Sequence, residues 1–146
     1  MTRRIFLDSS VIIVGVGSHS GASHAVLRLG EIGLFKIVVC ETVIHECQRN
    51  VELKLPDALP QLVELMLSIR PEVLADPTPE ESSAWEKVIE KKDAPLLAAA
   101  INAKADRLLS LNTRHFTPAV GLAAGILIQT SGEFVQEVRK ILTAGL

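Results

Sequence analysis

Short apolar runs alternate with longer helical segments along this chain, and that alternation restricts the fold more than any other feature. Four runs have the length and aliphatic content of buried strands, at residues 5–7, 35–40, 107–111 and 126–128. Short strands separated by helices form a parallel sheet with helices on both faces. The sequence therefore predicts the α/β class, as a three-layer α/β/α sandwich with a central, mostly parallel sheet.

The helical segments begin at recognisable signals. The stretches 78–81 (TPEE) and 130–133 (TSGE) are capping boxes, in which a Thr oxygen and a Glu carboxylate bind the free amide groups of the first turn. Asp93, followed by Ala94 and Pro95, opens a helix at 96–103. Further helices are predicted at 21–33, 42–51 and 59–69.

The bulk properties indicate one domain, residues 1–146. Apolar residues make up 48% of the chain, and a dimer interface is expected to bury part of this surface. The net charge of −2 excludes a protein that coats nucleic acid through its overall field, so any such contact must come from local patches. No apolar run reaches the about 18 residues of a membrane span. The chain is expected to be cytoplasmic, with Cys40 and Cys47 buried and reduced.

Four polar residues are candidates for the carboxyl edge of the predicted sheet, where ligands bind in parallel sheets. Asp8 follows the first strand and precedes another apolar run, where a carboxylate is costly without a partner or a metal. Glu46 lies one turn into the next helix, Asp93 begins a helix, and Asn112 follows the run at 107–111. Taken singly, Asp8 could be a turn residue, Glu46 a surface residue and Asp93 a helix cap. All four could face one edge.

Three segments resemble the motifs of the PIN domain family. IFLDSSVII resembles its first motif, a strand followed by Asp, and VVCETVIHECQRN resembles its second, a strand and then a helix carrying Glu. KDAPLLAAAINAKADRLLSLNTRHF resembles its most diagnostic block, in which an acid opens an Ala-rich helix and an acid or amide stands four residues before a Phe. The resemblance covers nearly the whole chain and is closest to the toxins of toxin–antitoxin pairs.

The resemblance implies a metal-dependent endoribonuclease that cleaves single-stranded RNA, leaves 5′-phosphate and 3′-hydroxyl ends, and has an antitoxin partner. It implies that Asp8, Glu46 and Asp93 are metal ligands, that Asn112 stands where many members carry a fourth acid, and that Ser10 supports Asp8. Hard oxygen ligands favour Mg²⁺ or Mn²⁺ over zinc.

Three basic residues near the motifs are candidate contacts for RNA phosphates. Arg49 lies about one helical turn beyond Glu46, Lys92 precedes Asp93, and Arg114 follows Asn112. Taken alone, each is more simply explained as a surface charge than as a phosphate ligand. Their clustering around the motifs favours a role in positioning the RNA backbone.

Asn112 keeps a second function open, because it retains an oxygen ligand but removes a charge. The alternative is a PIN-fold protein that no longer cleaves and acts by binding RNA or a protein partner. Other classes lack their signatures: there is no G-x-S-x-G motif of a serine hydrolase, and the four His and two Cys residues have no zinc-ligand spacing. A dehalogenase-like phosphatase would need an acid where Ser10 stands, and a response-regulator receiver would need paired acids near the first strand.

Overall fold

The sheet of this protein is parallel throughout, as seen in a computed structural model that describes residues 2–145. The strands in this range are β1 (Arg4–Leu7), β2 (Lys36–Cys40), β3 (Glu72–Leu74), β4 (Arg107–Leu109) and β5 (Leu127–Gln129). Their order is β3-β2-β1-β4-β5, and each neighbouring pair is parallel. In this register Phe6 lies between Val38 and Leu108. The predicted α/β/α class is confirmed.

Helices connect and cover the strands. Within residues 2–145 they are α1 (Ser9–Gly17), α2 (Ala22–Glu31), α3 (Glu41–Lys54), α4 (Leu59–Ile69), α5 (Pro79–Ser83), α6 (Ala94–Asn102), α7 (Pro118–Ala124) and α8 (Ser131–Ala144). Both predicted capping boxes form, with Thr78 and Thr130 each bonded reciprocally to the Glu three residues later. The predicted strands and helices are therefore confirmed, with small shifts at their ends.

Three elements were not predicted from the sequence. The run after Asp8 forms α1, although it is rich in β-branched residues that disfavour helices. Its burial against the sheet and neighbouring helices overrides that local preference, since Val11 and Ile12 are fully buried. The strand β3 is a three-residue edge strand with Val73 exposed, and α7 is short and contains Gly121, so neither has a strong apolar pattern.

The core lies on both sides of the central strands. Phe6 and Leu7 of β1 and Leu108 and Leu109 of β4 are all fully buried, as expected for a parallel sheet covered on both faces. Cys40 and Cys47 are free, buried thiols, as predicted. In the part of the chain from 2 to 145, no single helix is long and apolar enough to cross a membrane, and α1 with α2 meets that criterion only as a pair bent by 100°.

An acidic side chain from the loop after β3 caps α3. Cys40, at the N-cap position, makes no side-chain cap bond. Asp76 instead accepts hydrogen bonds from the Thr42 amide (2.9 Å) and the Thr42 hydroxyl (2.7 Å). Burial opposes ionisation of Asp76, but the two Thr42 bonds hold its pKa below the ordinary value of 3.8. This contact fixes the start of the helix that carries Glu46.

Asp76→Ala is expected to lower the free energy of unfolding at pH 7 by about 1 kcal/mol, the usual value of a helix cap. Because the pKa of Asp76 is depressed in the folded state, its contribution is fully present above pH 3.8 and is lost as the pH falls through the lower folded pKa. Urea unfolding at neutral and at acidic pH measures the difference, with the exposed Asp57→Ala as the control. An equal loss at both pH values would contradict the assignment.

Candidate active site

Asp8 is held in a cage of serine hydroxyls at the carboxyl end of β1. It stands at the N-cap position of α1, is 9% exposed and makes no cap bond. One carboxylate oxygen, Oδ2, accepts from Ser110 Oγ at 2.7 Å and from Ser10 Oγ at 3.1 Å. The other, Oδ1, lies 3.4 Å from Ser9 Oγ. These contacts orient the carboxylate of Asp8, and the positive end of the α1 helix dipole stabilises its negative charge.

Glu46 is joined to Asp8 by one shared hydroxyl. Ser9 Oγ, which lies 3.4 Å from Asp8 Oδ1, is also 2.8 Å from Glu46 Oε2. Glu46 is half-buried on α3, on the strand-end edge that the Asp76 contact helps to position. The structure therefore brings together two of the predicted acids, through a serine that the sequence did not single out.

The segment after β4 is tied to the same cage. Ser110, which is 2% exposed, donates a hydrogen bond to Asp8 Oδ2. Its Oγ atom accepts a hydrogen bond from the backbone N–H of Asn112 at 3.1 Å. The Leu111 amide donates to Ser10 Oγ at 3.1 Å. The Ser110 amide still donates to the Gln129 carbonyl oxygen of β5, but the next two backbone amides bind serine hydroxyls and not a neighbouring strand. The strand β4 therefore ends at Leu109 and not at residue 111 as predicted.

Asp93 occupies the N-cap position of α6, but its carboxylate makes no cap bond. Its Oδ2 atom is fully buried and has no hydrogen-bond donor within residues 2–145. His115 Nδ1 lies 2.8 Å from this oxygen, yet the direction of approach does not make a hydrogen bond. A buried, unsatisfied carboxylate oxygen is costly, and a bound cation would satisfy it. The simple interpretation of Asp93 as a capping residue is therefore insufficient.

His115 connects Asn112 to Asp93. Asn112 Nδ2 lies 3.3 Å from His115 Nδ1, and His115 Nε2 lies 3.4 Å from Glu90 Oε1. A chain of contacts therefore runs from Asp8 through Ser110, Asn112 and His115 to Asp93. The four predicted site residues lie in or beside one connected network at the carboxyl edge.

The tightest group of metal-ligand atoms differs from the predicted set. Within the described range 2–145, the acids and imidazoles whose ligand atoms all lie within 4.8 Å of one another are Glu90, Asp93 and His115. Asp8 and Glu46 lie outside that group. Neither Glu90 nor His115 was a candidate in the sequence. The spacing of Glu90 and Asp93, three residues apart, was the available signal, but nothing local places His115 beside them.

The predicted phosphate contacts are all exposed, and Lys92 alone of the three lines a groove that contains a predicted site acid. Lys92 and its neighbour Lys91 line a groove of about 450 Å³ that also contains Glu46 and Asp76. Arg49 and Arg114 are exposed outside the lining of this groove. A basic side chain is therefore available beside Glu46, on the approach to the carboxyl edge.

Cys47 is unsuited to act as a nucleophile, although it lies beside this network. Its Sγ contacts the Ser9 carbonyl oxygen at 3.9 Å. Burial, followed by the negative charges of Glu46 and Asp8, raises the pKa of the Cys47 thiol to about 12. The group is a neutral thiol at physiological pH, which leaves the oxygen ligands as the reactive feature of this edge.

Several solved structures have the same fold as this chain. VapBC2 from Rickettsia felis, bound to a promoter DNA fragment, is 14% identical, with a TM-score of 0.59 over 87% of this chain and 98% of that chain. VapC20 of Mycobacterium tuberculosis, a Sarcin-Ricin loop cleaving toxin, is 18% identical, with a TM-score of 0.54 over 82% and 94%. FitAcB from Neisseria gonorrhoeae is 18% identical, with a TM-score of 0.57 over 87% and 97%.

These likenesses establish the fold, and the sequence itself establishes the family. No curated protein matches the chain significantly. A family model described as PIN domain matches residues 4–114, a span that contains Asp8, Glu46, Asp93 and Asn112. Since this match covers well over half of the chain, the protein belongs to the PIN domain family.

Proposed function

We propose that this chain is a metal-dependent endoribonuclease that hydrolyses single-stranded RNA. The observation that carries the proposal is the buried, unsatisfied oxygen of Asp93 in the network that also fixes Asp8 and Glu46. Oxygen atoms held in this way by a folded scaffold are a ligand set suited to a hard divalent cation. Membership of the PIN domain family supports the same reading.

Asp8, Glu46 and Asp93 would hold Mg²⁺ or Mn²⁺, with Asn112 contributing an oxygen directly or through water. A bound divalent ion supplies an activated water for attack on the phosphodiester and neutralises charge on the phosphate, giving 5′-phosphate and 3′-hydroxyl products. The chain's own contribution is positioning: Ser10 and Ser110 orient one oxygen of Asp8, and Ser9 holds Asp8 and Glu46 at a fixed separation. Positioning of this kind lowers the cost of reaching the reactive geometry.

Basic side chains would guide the RNA backbone to this acidic edge. Lys92 lines the groove beside Glu46, and the exposed Arg49 and Arg114 are near Glu46 and Asn112 in sequence. Contacts of this type bind phosphates without reading the bases. We therefore expect affinity for RNA to fall with added salt.

The chain is further proposed to be the toxin of a toxin–antitoxin pair and to act in the cytoplasm. Among the similar structures, VapC20 is described as a toxin, and VapBC2 is described as bound to a DNA fragment from its promoter. Those statements concern the other proteins, and they motivate a search for a short antitoxin reading frame beside the gene for this chain.

The protein is also expected to form a dimer. Several large apolar side chains are strongly exposed in the single chain, including Ile32, Leu53, Leu67 and Leu122, at 72–87% of their full exposure. Burying such surface against a second copy is favourable. Light scattering at micromolar concentration is expected to give about twice the 15.8 kDa mass of one chain. A species of 15.8 kDa alone would contradict this expectation.

The proposed activity is tested by incubating purified protein with end-labelled single-stranded RNA, with Mg²⁺, with Mn²⁺ and with a chelator. Cleavage is expected with either ion and not with the chelator, and the products should carry 5′-phosphates. Cleavage that is insensitive to the chelator would rule out the metal-dependent mechanism.

The alternative is a PIN-fold protein that binds RNA or a protein partner without cleaving. The position of Asn112 favours it, since the neutral amide lies against His115 where many family members place a fourth acid. RNA binding that persists in the chelator, with no cleavage under any condition, would favour this alternative over the enzyme.

A further inference from the structure

A cavity of about 210 Å³ lies at the amino edge of the sheet, opposite the acidic network. Its walls come from the amino ends of β1 and β4, the segment before β2, and α8. Ile5, Phe35 and Phe134 form its floor, and none of them is more than 5% exposed. Ile141 and Leu142 stand at its mouth, where they are 63% and 58% exposed. An apolar cavity of about 150 Å³ is enough to hold a benzene ring, so this one has room for a small molecule.

The aromatic floor of this cavity is fixed by contacts within the chain. The rings of Phe35 and Phe134 meet edge to face, with their centroids 5.3 Å apart. The guanidinium carbon of Arg107 lies 5.8 Å from the centroid of the Phe134 ring. Both contacts are favourable and hold the Phe134 ring in place. The cavity is therefore pre-formed, as most small-molecule sites are.

The charged side chains that line the cavity leave an excess of one positive charge. Within residues 2–145 they are Arg3, Arg107 and Glu137. Glu137 Oε2 accepts hydrogen bonds from Arg107 and Gln129, and the bond from Arg107 holds the pKa of Glu137 below its ordinary value of 4.5. Arg107 and Glu137 therefore cancel at pH 7. Arg3 is 69% exposed and lies 3.5 Å from Asp106, and a solvated ion pair of this kind is weak. The free charge of Arg3 favours an anion at the mouth.

We propose that this cavity binds a small aromatic carboxylate, with the ring against Phe134 and the carboxylate paired with Arg3. Burial of the ring removes apolar surface from water, and the planar guanidinium group matches a carboxylate with two parallel hydrogen bonds. An inorganic anion would leave the apolar floor uncovered, and a neutral hydrocarbon would leave the charge of Arg3 unused. The inference is independent of the proposed ribonuclease activity, since the cavity and Asp8 lie at opposite edges of the sheet.

Methyl NMR measures both the position and the affinity of binding. Protein labelled at the methyl groups of Ile, Leu and Val is titrated with phenylacetate and, separately, with the neutral phenylacetamide, in the absence of divalent ions. Saturable shifts are expected at Ile5, Val138 and Ile141, which line the cavity, and not at Val11 and Val43, which lie in α1 and α3. Phenylacetate should bind about tenfold more tightly than phenylacetamide, because only the charged compound makes a charge-assisted hydrogen bond with Arg3. Equal affinity for the two compounds, or no saturable shift at the cavity, would overturn the proposal.

Two substitutions separate the charge from the cavity. Arg3→Gln is expected to weaken phenylacetate binding by about tenfold and to leave phenylacetamide binding unchanged. The matched control is Arg28→Gln, because Arg28 is also exposed and paired with an acid, Glu31, but lies outside the cavity lining. Val138→Phe places a ring of the chain's own in the cavity and is expected to abolish binding of both compounds, with folding checked by thermal unfolding. Equal weakening by both arginine variants, or full binding by folded Val138→Phe, would contradict the proposal.

The competing occupant of this cavity is a second copy of the chain, since Ile141 and Leu142 are exposed. The same NMR spectra distinguish the two. Methyl signals of Ile141 and Leu142 that respond to phenylacetate and not to dilution of the protein are expected. Signals that change on dilution and do not respond to phenylacetate would identify a subunit contact and overturn the proposal.

Discussion

Asp8→Asn is expected to abolish metal-dependent RNA cleavage. The carboxylate of Asp8 is held at the edge by two serine hydroxyls that donate to Oδ2, and Ser9 Oγ lies 3.4 Å from Oδ1. The substitution leaves the shape of the site unchanged but replaces a charged metal ligand with a neutral amide oxygen, which binds a divalent ion more weakly. Because partners outside the ligand shell are themselves worth 10- to 100-fold, the rate should fall by about 100-fold or more.

The same substitution is expected to leave metal-free stability equal or higher. The side-chain oxygen of an Asn can keep the bonds from Ser10 and Ser110. Its amide nitrogen can donate to Ser9 Oγ, whose own proton is directed at Glu46 at 2.8 Å. No polar group is left unsatisfied, and one of two neighbouring negative charges is removed.

RNA cleavage assays test the predicted loss of activity, and thermal unfolding without metal tests the predicted stability. Asp57→Asn, at an exposed turn residue before α4, is the matched control and should leave both properties unchanged. Undiminished cleavage by Asp8→Asn would show that the site has been assigned to the wrong residues.

Asn112→Asp is expected to tighten divalent-metal binding by about tenfold, which corresponds to ~1.4 kcal/mol. The new carboxylate would join the network through the segment that Ser110 ties to Asp8. A fourth negative charge strengthens attraction to a dication, and high salt should reduce the gain only in part because the site is half-buried.

Without metal, the same change is expected to lower the free energy of unfolding. The added charge faces the carboxylates of the edge, and like charges close together repel. His115 Nδ1, which lies 3.3 Å from the side-chain nitrogen Nδ2 of Asn112, is able to offset part of this repulsion. Without metal, the decrease in the free energy of unfolding should therefore be smaller for Asn112→Asp than for Asn112→Asp combined with His115→Ala.

Titration of Mn²⁺ into the wild type and Asn112→Asp separates the two functions under consideration. Tight binding by both, with the variant tighter, agrees with a metal-dependent enzyme. Binding by the variant alone would favour the non-catalytic alternative. If neither protein binds Mn²⁺, Asn112 is not at a metal site.

The sequence predicted the strands that place the site because their pattern is local. A short apolar run followed by Asp8 identifies both β1 and its carboxyl end without knowledge of the rest of the chain. The two capping boxes were predictable for the same reason, since the residues that bond are three apart.

The contacts that complete the site were not predictable, because they join residues distant in sequence. Ser9 reaches Glu46 on α3, Asp76 caps α3 from the loop after β3, and His115 meets Asp93 across the site. Single serine and histidine residues have no periodicity that marks such a role. The strand β3 was missed because an exposed, three-residue edge strand needs little apolar content.

Anomalous X-ray scattering from crystals grown with Mn²⁺ is the decisive test of the proposed metal site, because it locates the ion independently of activity. An anomalous peak is expected in contact with the carboxylates of Asp8, Glu46 and Asp93. A fully ordered carboxyl edge with no peak at these three residues, at an Mn²⁺ concentration that supports RNA cleavage, would contradict the proposed site.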